Sequence, residues 1–152
     1  METRREGNVS NRPLANVFVV DDDPIIASTV TAILDINGYA VMRFTDPAEA
    51  LIAAQFDIPD LLVSDITMPG ISGIDLGIRM TARHPNCKVL LLSGHVNAPH
   101  LVEEAHAQGY DFPLLMKPVP PSELLARILT ECMKTQVQPK ARTPHAIHLS
   151  VS

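Results

Sequence analysis

The chain has 152 residues, 46% of them hydrophobic, which suits one ordinary domain with a real core and leaves too little for two. A net charge of −5, no tryptophan and only 4% aromatic residues argue against a dedicated nucleic-acid binder, which needs a basic surplus or stacking platforms. Cys87 and Cys132 lie far apart and outside any C-x-x-C spacing, which argues against a disulfide framework or zinc site and predicts reduced thiols, with Cys87 a packing residue.

The lead from Met1 to about Asn16 is polar, carries Arg4, Arg5 and Arg12, and is expected to be flexible. No signal-peptide core follows it and no apolar run is long enough to span a bilayer, so a cytoplasmic protein without membrane contact is expected. Val17–Asp21 predicts a first strand. Asp23-Pro24 predicts a helix start, an acid at the cap and proline at the first helical position. Ile25, Ile26, Val30, Ile33 and Leu34 recur there at helical spacing, and Asn37-Gly38 closes the helix. Ala40–Phe44 is a second strand, and Asp46-Pro47 opens a second helix with Ala50, Leu51 and Ala54.

Asp60–Ser64 predicts a third strand, followed by a loop through Met68-Pro69-Gly70 and a helix from about Ser72 to Arg83. His84-Pro85-Asn86 stops that helix. Lys88–Ser93 is the fourth strand. A polar helix from Pro99 to Gln108 turns Leu101, Val102 and Ala105 inward and ends at Gly109. Leu114–Met116 is a short fifth strand, and Pro121-Ser122 starts a last helix with Leu124, Leu125, Ile128 and Leu129 as its apolar stripe. The chain from 135 to 152 is expected to be a loose tail. Strict alternation of strand and helix implies a parallel sheet covered on both faces, a doubly wound α/β domain.

Four polar signals stand just past apolar runs: Asp21-Asp22-Asp23, Asp65, Ser93 and Lys117. In an open parallel sheet the carboxyl ends of the strands form the ligand edge. One acid of the triplet suffices to cap the helix, and the other two are either solvated or a metal site. Successive acids beside an apolar core repel one another, and a hard cation such as Mg²⁺, with Mn²⁺ as a substitute, relieves that repulsion. With Asp65 added, three carboxylates suit a divalent metal, and one is available as a nucleophile toward a phosphoryl group. Ser93, followed by Gly94, offers a hydroxyl to a phosphoryl oxygen, or is a turn residue. Lys117 precedes Pro118, has an apolar strand behind it, and would pair Asp65 and then a phosphoryl oxygen. Whether Lys117-Pro118 is cis is open at this level. The six histidines are expected at the surface, and G-x-G-x-x-G and Walker patterns are absent.

Val19-Val20-Asp21-Asp22-Asp23-Pro24, the run from Ser64 to Gly73, Leu92-Ser93-Gly94 and Met116-Lys117-Pro118 together resemble the receiver domain of two-component response regulators, over about Val17 to Met133. The resemblance implies a flavodoxin-like (βα)5 fold with strand order 2-1-3-4-5 and a receiver domain at 17–134. It implies Asp65 as phosphoacceptor, Asp22 as a direct Mg²⁺ ligand, Asp21 as a second or water-mediated one, and the Thr67 backbone carbonyl in the metal shell. Ser93 matches the switch hydroxyl and Lys117 the lysine of the family. A sensor histidine kinase or histidine phosphotransfer protein would supply the phosphoryl group. Output would pass through the face of the fourth helix, fifth strand and fifth helix to an unknown protein, or through a phosphorylation-dependent dimer. Leu114 stands where the family has an aromatic switch residue, and Gly109–Pro113 is longer than usual. The expectation is a stand-alone signalling module rather than a dedicated enzyme, with no direct nucleic-acid contact.

Three alternatives are weaker. A metal-dependent aspartyl phosphatase needs an acid two residues after the nucleophile, where this chain has Thr67. A flavin electron carrier needs a Ser/Thr/Gly-rich loop after the first strand. A degenerate receiver serving as a constitutive binding module would not keep the full set of acids, hydroxyl and lysine.

Overall fold

A computed structural model describes residues 12–134. The expected tail from 135 and most of the expected lead lie outside them. Five strands alternate with five helices: β1 Asn16–Val20, α1 Pro24–Ile36, β2 Ala40–Phe44, α2 Pro47–Ala54, β3 Leu61–Asp65, α3 Gly73–Arg83, β4 Lys88–Ser93, α4 Ala98–Ala107, β5 Leu114–Met116 and α5 Pro121–Met133. All strand pairs are parallel, in the order β2-β1-β3-β4-β5. This is the doubly wound order the sequence implied.

Side-chain alternation along the strands feeds two cores, as expected when helices cover both faces. Phe18, Val20, Leu62, Val89 and Leu91 pack with α2 and α3. Val17, Val19, Leu61, Val63, Leu90 and Leu92 pack with α1 and α5. Burial on both faces is why these strands are continuous apolar runs.

Caps set where the helices begin. Asp23, Asp46 and Ser72 accept the backbone N–H of Ile25, Ala48 and Asp75, each satisfying an otherwise orphaned donor. Gly38, at φ +97°, provides the left-handed residue that ends α1 and lets the chain turn into β2.

Boundaries differ by one residue at several ends. β1 stops at Val20, leaving Asp21 just past it, whereas β3 includes Asp65. Two apolar residues read as inward are outward. Ile25 lies off the buried stripe of Ala27, Val30 and Leu34, and Leu101 lies off the stripe of Ala98, Val102 and Ala105. In each case helical geometry buries the residues at i, i+3 or i+4 and i+7, and a further apolar neighbour is left at the flank. Leu129 is likewise half exposed, and the core position one turn past Ile128 goes to Glu131, bonded through Oε2 by Arg127 and Lys134.

Candidate functional site

Register aligns the ends of the central strands. Val20 pairs with Ser64, Asp65 with Leu92, and Ser93 with Met116. Side chains one step past these positions share one edge of the sheet.

The acidic triplet divides into three roles. Asp21 is buried, only 3% exposed. Its backbone N–H donates to Phe44 O at 3.1 Å, its Oδ1 accepts the Asp23 N–H at 2.9 Å, and its Oδ2 accepts from Lys117 Nζ at 3.0 Å. Asp22 is exposed at the rim. Asp23 caps α1. Asp65 ends β3 with its side chain 12% exposed, and its Oδ1 lies 3.4 Å from Lys117 Nζ. The carboxylate oxygens of Asp21, Asp22 and Asp65 lie within 4.8 Å of one another.

Electrostatics follow from that crowding. Burial, the largest influence, pushes the Asp65 carboxyl above its ordinary range; Lys117 opposes this and Asp21 adds to it. For Lys117 burial pulls the ammonium down, but the hydrogen bond and charge of Asp21, then the charge of Asp65, outweigh it and raise the pKa. Three carboxylates therefore face one ammonium. A set of hard oxygen donors, under-neutralised and partly desolvated, fits a divalent cation such as Mg²⁺. Thr67, two residues past Asp65, is exposed in the following loop.

Ser93 is fully buried at the end of β4, and its Oγ accepts the His95 N–H at 3.1 Å. Lys117 is anchored beside it by its own N–H to Ser93 O at 2.8 Å, and Lys117-Pro118 is cis, which answers the question the sequence left open. Lys117 pairs Asp65 at 3.4 Å, as the sequence suggested, and lies closer still, at 3.0 Å, to the more deeply buried Asp21.

Two supporting residues escaped the sequence reading. A Cβ on Gly73 would collide with the Asp65 carbonyl oxygen, and the Gly73 N–H donates to Ile66 O at 2.8 Å. Only glycine lets the start of α3 approach the end of β3 this closely. The residue stood in the quoted motif, but a search for phosphate-binding glycines does not find a packing glycine. Ser64 is buried, and its hydroxyl donates to the Asp65 carbonyl at 2.8 Å. A lone serine before an acid carries no signal for that.

Of the unusual segment before β5, Phe112 is buried and its ring lies over Gly77 of α3, while Tyr110 packs beside it with centroids 6.0 Å apart. Leu114 is partly buried against the same core. Cys87 is buried, its thiol pushed up to about 12 chiefly by burial, as a packing residue would be. His100 and His106 are exposed and lie against Glu104 and Asp111. Among the described residues, no helix is long and apolar enough to cross a membrane.

The response regulator receiver domain model matches residues 17–129. The transcriptional regulatory protein FixJ of Bradyrhizobium diazoefficiens is 34% identical over 132 residues, covering 84% of this chain and 60% of that protein. The phosphoglycerate transport system transcriptional regulatory protein PgtA of Salmonella typhimurium is 35% identical over 113 residues, 74% of this chain and 27% of its own length. The chain thus spans less than two thirds of these curated relatives. Among solved structures, a chemotaxis response regulator of Vibrio cholerae superimposes with a TM-score of 0.66 at 31% identity, covering 76% of this chain and 97% of that one. A CheY-like receiver domain of Methanospirillum hungatei gives 0.69 at 28% identity, with 77% and 92% covered. With its motifs at the matching strand ends and its fold shared, the chain belongs to the response regulator receiver domain family.

Proposed function

We propose that this chain is a cytoplasmic receiver that accepts a phosphoryl group on Asp65 from a sensor histidine kinase or histidine phosphotransfer protein and signals by protein contacts. The observation that carries the reading is the division of labour among the carboxylates. Both oxygens of Asp21 are committed, one to the Asp23 N–H and one to Lys117, and the side chain is buried. Asp65 is the more open of the two, its side chain 12% exposed against 5% for Asp21, and its Oδ1 lies 3.4 Å from Lys117 Nζ. A nucleophile needs an accessible lone pair, and Asp65 fits.

In the proposed step a carboxylate oxygen of Asp65 attacks phosphorus. The new O–P bond gives an acyl phosphate, and the P–N bond of the donor phosphohistidine breaks with its electron pair returning to the imidazole nitrogen. Asp22, Asp65 and the Thr67 carbonyl would hold Mg²⁺, with Asp21 as a second or water-mediated ligand, and the ion would supply charge neutralisation for the incoming phosphoryl oxygens. Lys117 holds Asp65 before transfer and a phosphoryl oxygen after it. Hydrolysis of the acyl phosphate resets the module, so it is not a dedicated enzyme.

Ser93 supplies the response. Its hydroxyl would leave the His95 N–H and turn to the phosphoryl oxygen, drawing the loop toward the site. That loop leads into α4, which has no side-chain N-cap bond and buries only Ala98 and Ala105, so moving it disrupts little packing. The face of α4, β5 and α5 is then the output, toward a downstream protein or a second copy. Tyr or Phe is absent at 114, so the coupling runs through loop and helix displacement.

The test is Mg²⁺-dependent phosphorylation by acetyl phosphate, read as intact mass on wild type and Asp65→Asn. One added phosphoryl group on wild type alone, lost on chelation, is expected. No gain under saturating donor and Mg²⁺ would sink the phosphoacceptor reading and favour a constitutive binding module.

A further inference from the structure

Ser64 stands on an apolar face. Positions 62, 64 and 66 alternate toward one side of the chain, and Leu62 and Ile66 belong to the core that packs with α2 and α3. Ser64 is 1% exposed between them. An apolar side chain there would pack without the cost of burying a hydroxyl, so core packing alone gives no reason for serine at this position.

The hydroxyl meets a local need. It donates to Asp65 O at 2.8 Å, the same carbonyl oxygen that leaves no room for a Cβ on Gly73. The other end of that peptide is held by the Ile66 N–H, which donates to Leu92 O of β4 at 3.1 Å. The next peptide is tied by the Gly73 N–H to Ile66 O at 2.8 Å. Both peptides between Asp65 and Thr67 are therefore fixed, the first at its two ends and the second at its carbonyl. The Ile66 N–H also acts on the Asp65 carboxylate, opposing the rise that burial causes, so the orientation of the first peptide reaches the side chain itself.

We propose that Ser64 is a positioning residue for the site. Through its bond to the Asp65 carbonyl it fixes the peptide between Asp65 and Ile66, and with it the direction of the Asp65 carboxylate and the course of the turn to Thr67. The inference rests on Asp65 as phosphoacceptor. Ser64 points into the apolar core and acts only through Asp65 and Ile66. Its role is that of a partner behind a ligand, which sets orientation and through it both affinity and rate. Without the hydroxyl the Asp65 carbonyl loses a donor, the peptide gains freedom, and the carboxylate spends less of its time in the geometry that binds and attacks.

Two variants of the full chain test this, measured well below their Tm. Ser64→Ala removes the hydroxyl, and Ser64→Cys fills the same space with a much weaker donor. Amide exchange at Ile66 and Gly73 should quicken roughly tenfold in both, while that of Phe18 and Leu90 in the neighbouring strands stays unchanged. Mg²⁺ affinity by calorimetric titration, and the rate of phosphoryl uptake from acetyl phosphate at saturating Mg²⁺, should each fall roughly tenfold. Unchanged exchange at Ile66 and Gly73 in Ser64→Ala would overturn the proposal. So would a Ser64→Cys variant that behaves as wild type, which would make packing the role of the residue, or quickened exchange with affinity and rate intact, which would make the bond merely structural. A wild type that takes up no phosphoryl group sinks the acceptor reading instead, and exchange and Mg²⁺ affinity then decide the role of Ser64 by the same criteria.

Discussion

Lys117 holds Asp21 at 3.0 Å and stands 3.4 Å from Asp65, so a single ammonium bridges a buried carboxylate and a reachable one. Asp21 follows β1 and Asp65 ends β3, 44 residues apart, and Lys117 follows β5. The charge balance of the whole edge depends on this bridge.

Replacing Asp65 should stabilise the metal-free fold. Its folded-state pKa lies above its ordinary 3.8, chiefly from burial. The folded state therefore holds the proton more tightly than the unfolded chain, and ionised Asp65 lowers stability at neutral pH. That penalty is relieved as pH falls through the folded value. Asp65→Asn should raise Tm, while abolishing phosphoryl uptake. Thermal unfolding in a chelator checks the first effect and intact mass the second.

Lys117→Ala should do the opposite. It leaves Asp21 buried without its cation, a loss of about 2–3 kcal/mol after allowing for partial exposure of the pair. The Lys117 pKa is raised above 10.5, so its stabilisation is present below 10.5 and is lost as pH rises through the folded value. Wild type should therefore lose Tm in that alkaline window more steeply than Lys117→Ala, which differential scanning calorimetry would show.

Mg²⁺ should raise Tm, and above its Kd should go on raising it with the logarithm of its concentration, since a ligand bound only by the folded state stabilises it. Asp22 is exposed and is no part of the core, so Asp22→Asn should fold normally. Its Mg²⁺ affinity, measured by calorimetric titration, should fall by about tenfold or more. An unchanged affinity would remove Asp22 from the ligand set.

Gly73→Ala forces a methyl group into the Asp65 carbonyl. Backbone cannot give way as a side-chain tip can, so a loss of about 2–4 kcal/mol is expected. Denaturant titration measures it. Gly70→Ala, at φ +88° with open space around it, should cost less, about 1 kcal/mol, from backbone conformation alone. Equal losses would show that the close approach is not what glycine serves at 73.

Ser93→Ala should separate transfer from response. Phosphoryl uptake should persist, because Asp65, Asp21 and Lys117 are untouched, while the amide shifts of α4 on phosphorylation shrink. Full-sized shifts in the variant would take the switch role from Ser93.

Apolar runs and helix starts were legible because they are local. Val17-Phe18-Val19-Val20 reads as a buried strand, and Asp23-Pro24 supplies the cap and first position of a helix. Strict alternation of strand and helix then left few parallel topologies, and the four motifs placed the polar residues at the strand ends. Ile25 and Leu101 were misjudged because periodicity finds an apolar face but not its edges, which depend on the neighbouring element.

Residue types and their order along the chain determined the strands, the caps and the membership of Asp21, Asp65, Ser93 and Lys117 in one edge, since each follows from spacing within a few residues. Only the tertiary structure decided that Lys117 lies nearer Asp21 than Asp65, that Lys117-Pro118 is cis, and that Gly73 must be glycine. Those facts depend on distances of a few tenths of an ångström between segments far apart in sequence. Such distances are set by how both faces of the sheet pack, and no local pattern encodes them.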